Sequence, residues 1–124
     1  MTTTGYVLAG LLAVAIIVIG VRFLVAPAVA AAGYGVPTDA DRPDVRAYLS
    51  VKGLRDISTG VIVIVLIAAH ATHLVGWAML AATIIPLGDA VIVLRSRGAR
   101  STAYGMHGGT AAVMLLTSAL LIGS

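Results

Sequence analysis

Asp56 and Asp89 are the residues of this chain best placed to do chemistry, because both carboxylates fall within or beside apolar runs, where an unpaired charge is costly. Asp56 belongs to a series, Lys52, Arg55, Asp56 and Thr59, whose i, i+3, i+4, i+7 spacing puts all four on one face of a helix. Arg22, Asp89, Tyr104 and His107 fall at a similar depth if the apolar runs are antiparallel helices. A charge at mid-bilayer costs roughly 2.5–3.5 kcal/mol, so these groups are expected to pair. Arg22 with Asp56 and Arg55 with Asp89 would give a neutral quartet, the planar guanidinium matching the carboxylate. Two carboxylates beside two arginines, a histidine and a tyrosine suit binding of an anionic or carbonyl-bearing amphiphile and movement of a proton on it. Asp89 is the expected acid/base, since it follows a kink in an apolar helix. Asp56 is expected to be held ionised by its helix neighbours. Arg22 and Arg55 would stabilise negative charge, and Tyr104 and His107 would complete a proton path. The candidate catalytic residues are therefore Asp89, Asp56, Arg55 and His107, and the candidate ligand contacts are Arg22, Lys52, Thr59 and Tyr104. The plainer reading of the same residues is a network that fixes helix register, with Lys52 extending to the headgroups.

The elements that must position these groups are set by composition. Of 124 residues, 60% are hydrophobic and 10% charged, against about 25% charged in an ordinary soluble domain. The mean hydropathy is +1.06. A span needs about 20 apolar residues, so the length accommodates four spans, short connections and no separate soluble domain. The expected fold is a single all-α domain, a four-transmembrane-helix bundle over residues 1–124 with helices at about 5–26, 48–69, 74–94 and 103–123. Gly33 to Arg46, with two prolines and three aspartates, reads as a solvated loop. Pro86 is expected to kink the third helix. Ala28 to Ala32 has the small-residue look of a cleavage site. Thr2 to Thr4 give no basic leader, however, and Arg22 interrupts the apolar run, so the first segment reads as a retained span.

All eight Lys and Arg residues lie in the first and third connections or the helix halves beside them. The positive-inside rule then makes those connections cytoplasmic and puts both termini outside, in a multi-pass protein of the cell membrane. Net charge is +3, but its placement at helix ends is explained by topology, and no nucleic-acid signal is present. The absence of cysteine removes disulfides, thiolate metal sites, CxxC redox pairs and a cysteine nucleophile. His70 and His73 have a metal-ligand spacing but no third ligand nearby in sequence, and neither a metal nor a cofactor is expected. Gly105 and Gly109 form GxxxG, read as a packing face within the bundle, as are Ala9 and Ala13 and the pair Ala78 and Ala82. Trp77, Tyr34 and Tyr48 read as interfacial anchors.

The blocks VRFLVAPAVAAAGYGVP, YLSVKGLRDISTG, IPLGDAVIVLR and AYGMHGGTAAVMLL together resemble a family of small four-helix membrane proteins of bacteria and fungi catalogued as a domain of unknown function. The layout is more loosely similar to DoxX-like proteins. The resemblance covers nearly the whole chain. It implies the four-helix fold and directs attention to Arg22, Lys52, Arg55, Asp56, Asp89 and His107, without carrying an activity. The leading functional expectation is a pocket on the cytoplasmic side for a membrane lipid or small amphipathic molecule, serving a membrane-embedded isomerase, cyclase or hydrolase. The alternatives are a small transporter working as a homo-oligomer and an accessory subunit without a ligand.

Overall fold

The computed structural model describes residues 2–124, and the described chain is helical apart from its turns and one loop. Helix α1 is Thr2–Val25, α2 is Pro27–Tyr34, α3 is Pro43–Ala68, α4 is Thr72–Ala82 and α5 is Ile84–Arg95. A π-helical stretch, Thr102–Gly108, runs directly into α6, Gly109–Ile122. Three helical segments are long and apolar enough to cross a membrane: Thr2–Val25, Thr72–Arg95 and Thr102–Ile122. At 26 residues α3 is as long as any of these, but the stretch from its start to Asp56 carries Asp44, Arg46, Lys52, Arg55 and Asp56.

Small residues decide how the helices meet. A Cβ added to Gly53 would lie 2.6 Å from the carbonyl oxygen of Gly20, and one added to Gly60 would lie 2.6 Å from that of Ala13. The backbones of α1 and α3 are therefore in direct contact, the arrangement that small residues permit where lipid gives no hydrophobic drive between helices. Ala9 and Ala13 are almost fully buried and join Val63, Val75, Met79, Met114 and Leu121 in a core toward the end of the molecule that holds both termini. Tyr6 and Thr72 close that end with a 2.6 Å hydrogen bond between hydroxyls. At the opposite end Phe23 packs with Ala30 and Ala31 of α2. Large apolar side chains cover the outer faces, among them Leu11, Ile62, Leu74, Ile84 and Leu116.

Two local expectations, the bounds of the loop and the GxxxG packing face, are revised. Ala28 to Ala32 lie within α2, whose proline start and left-handed Gly35 end (φ 95°) give a self-contained two-turn helix. The loop is shorter than expected, because Pro43 supplies the first turn of α3 and the helix continues through Tyr48 without interruption. The GxxxG pair does not pack within the molecule, since a Cβ on Gly105 or Gly109 would meet nothing within 4 Å. Near the expected kink, the helix is interrupted at one residue, Thr83. Pro86 has no N–H for the carbonyl of Ala82, and the helix breaks at Thr83, whose hydroxyl bonds the Met79 carbonyl at 2.8 Å.

Candidate functional site

Toward the end of the molecule where α2 sits, α1 and α3 stay together while α5 leans on the π-helical stretch. Helices α3 and α5 are not packed against each other, and a partly open cavity of about 290 Å³ is lined by residues of both together with α1, α2, α4, the π-helical stretch and α6. Its walls are mostly apolar, with Leu12, Ile16, Ile85 and Pro86 beside the softer Met79, Met106 and Met114. Its polar groups are Arg22, Tyr34, Lys52, Asp56, Thr59, Asp89, His107 and Thr110.

Lys52 is drawn inward. Its Nζ lies 2.5 Å from Oδ2 of Asp56, one turn further along α3, and 4.4 Å from the ring centroids of both Phe23 and Tyr34. An ammonium among a carboxylate and two aromatic faces is stabilised by charge and by ring quadrupoles together. Asp56 is buried as a consequence.

His107 forms the opposite side. The ring is buried, edge-on to Tyr34 with centroids 4.7 Å apart, and its Nε2 lies 3.0 Å from the Tyr34 carbonyl oxygen. A carbonyl only accepts, so Nε2 carries the hydrogen and donates it. The other nitrogen, Nδ1, then faces Oδ2 of Asp89 at 3.9 Å. Burial, with the Asp89 and Asp56 carboxylates beside it, pushes the Tyr34 phenol above its ordinary range, so the hydroxyl keeps its proton. The π-helical geometry around His107 is of the kind that often marks functional segments.

Among the expected site residues, Arg22, Lys52, Asp56, Thr59, Asp89 and His107 line one cavity. Arg55 and Tyr104 do not line it, and both are exposed. The expected pairs of Arg22 with Asp56 and Arg55 with Asp89 do not form. The reason is helical phase: Lys52, four residues before Asp56, reaches it within α3, whereas Arg55, the adjacent residue, points about 100° away around the helix. Asp89 instead faces His107. Lys52 does not extend to the headgroups, because Asp56 and the two rings hold it inside. Tyr34 is a wall of the cavity and not an anchor, whereas Tyr48 and Trp77 are exposed. Phe23, Tyr34 and Thr110 were not singled out for the site from sequence. No sequence signal marked Tyr34, which closes a short helix of mostly small residues packed on Phe23. Among the described residues no group of three metal-ligating side chains occurs, and His70 and His73 stay exposed on the far turn.

The chain belongs to the family described as a domain of unknown function (DUF4267), whose profile matches residues 13–121. No curated protein and no solved structure matches the chain.

Proposed function

We propose that this member of the DUF4267 family is a four-span membrane protein that binds a small amphipathic molecule in the cavity between α3 and α5. The tail lies along the apolar walls and the head lies at Lys52, Asp56, Asp89 and His107. The observation that carries this reading is the cavity itself, about 290 Å³ of largely apolar wall with ionisable groups gathered toward one end and an unpacked side between two helices. Polar groups on several helices within an apolar environment mark a site by default. The confinement of all Lys and Arg to one end of the molecule supports a topology with both termini outside and the ionisable groups toward the cytoplasmic face.

The pairing of Asp89 with His107 favours a second activity at the same place, acid/base chemistry on the bound molecule. With Nε2 committed to the Tyr34 carbonyl, the imidazole exchanges protons only through Nδ1, toward Asp89 and the cavity.

Native mass spectrometry of the protein in a neutral maltoside detergent tests the binding reading. Dodecylamine, dodecanol and dodecanoate are offered separately to the wild type and to Ala82→Phe, which fills the cavity. Adducts of one amphiphile or more on the wild type, lost in a folded Ala82→Phe, support it. Equal occupancy of both proteins, or of neither, refutes it.

A further inference from the structure

We infer that the head group this cavity accepts is a protonated amine, seated between Oδ2 of Asp89 and Nδ1 of His107. This rests on the binding reading above and adds the chemical class of the ligand.

The groups that would attract an anion are already committed or lie elsewhere. The charge of Lys52 is met by Asp56 and by the rings of Phe23 and Tyr34. Arg55 is outside the cavity. Arg22 lines the cavity but is exposed, so its charge is shared with the surroundings. Once Lys52 and Asp56 cancel, the acidic charge remaining on the lining belongs to Asp89, whose one ion-pair contact among the described residues is with the imidazole.

The hydrogen-bonding demand has the same sign. Because Nε2 of His107 donates to the Tyr34 carbonyl, Nδ1 of the neutral ring is an acceptor. It faces a second acceptor, Oδ2 of Asp89, across 3.9 Å, too far for a direct hydrogen bond. Two convergent acceptors at that separation are satisfied by one group that donates to both, and an ammonium has three N–H donors to do so. A carboxylate, sulfate or phosphate head placed there would present oxygen to oxygen. The methionine and aromatic walls also tolerate a cation, as Lys52 shows.

The test is a comparison of dodecylamine with dodecanoate at matched mole fraction in neutral maltoside micelles near pH 7, read by native mass spectrometry. The wild type should favour dodecylamine by about tenfold or more, the size of effect expected for a charge-assisted contact. In Asp89→Asn that preference should collapse to within about twofold, and in Arg55→Gln it should persist. His107→Phe, which removes the second acceptor while keeping the ring volume, should weaken the preference and serves if Asp89→Asn fails to fold. Dodecanoate binding as well as dodecylamine, or a preference unchanged in the folded Asp89→Asn or His107→Phe protein, would overturn the inference. Binding of dodecanoate alone would overturn it while leaving the cavity reading intact, whereas no binding of either dodecylamine, dodecanoate or dodecanol would remove both.

Discussion

The imidazole of His107 is tied to the backbone of Tyr34, with Nε2 3.0 Å from the carbonyl oxygen across 73 positions of sequence. This contact joins the π-helical stretch to the end of α2 and fixes which ring nitrogen is free. Replacing His107 by Leu leaves that carbonyl without a side-chain donor and should destabilise the protein by about 1–3 kcal/mol. Thermal unfolding in detergent measures it, and a change within experimental scatter would show that the contact contributes little.

Lys52 and Asp56 are expected to behave as a unit. Lys52→Met strands a buried carboxylate and should cost about 3–5 kcal/mol, most of which the double variant Lys52→Met/Asp56→Leu recovers. Arg55→Gln, on the exposed side of the same helix, should change stability by less than about 0.5 kcal/mol. A large loss in Arg55→Gln with none in Lys52→Met would reverse the assignment of partners.

The two sets of glycines should respond in opposite ways. Gly53→Ala drives a Cβ against the Gly20 carbonyl, a backbone atom that cannot yield without separating α1 from α3. A loss of about 1–3 kcal/mol is expected from such overpacking. Gly109→Ala meets open space and should be neutral or stabilising by up to about 1 kcal/mol through helix propensity. Unfolding of both variants in parallel tests the contrast, which equal effects would contradict.

Topology is open to a clean chemical test because the chain has no cysteine. Single cysteines at Thr3, His73 and Ser124 should be labelled by a membrane-impermeant maleimide from outside intact cells, and one at Ser96 only after lysis. Labelling of the Ser96 cysteine in intact cells would contradict the proposed orientation.

The parts of the site legible in the sequence were those governed by composition and helical spacing. Asp56, Asp89 and His107 stand out because ionisable groups in apolar runs are costly, and the break near Pro86 follows from its missing N–H. The ion pairs were not legible, because spacing gives the face of one helix but not the rotation of its neighbour. Arg55 and Asp56 are adjacent and point apart by about 100°, so a shared depth did not imply a shared cavity. Tyr34 was hidden by α2: eight residues of mostly small side chains carry no periodic signal, and only the packing of Ala30 and Ala31 on Phe23 brings the ring inside. The π-helical stretch was equally silent, since Thr102–Gly108 has no residue type that distinguishes it from an ordinary helical turn. GxxxG misled in the other direction, because small residues permit a close approach without providing the neighbour.

Under the proposed function, the unpacked side between α3 and α5 would determine what concentration means for this protein. On the proposed reading, a ligand entering there would partition into the bilayer first, so its governing variable would be its mole fraction among lipids and not its molarity in the surrounding water. Each methylene added to a tail strengthens the affinity computed from total aqueous concentration by about 0.8 kcal/mol through partitioning alone. Tail-length series would then rank molecules by their taste for membranes, and selectivity becomes visible only when occupancy is expressed per lipid.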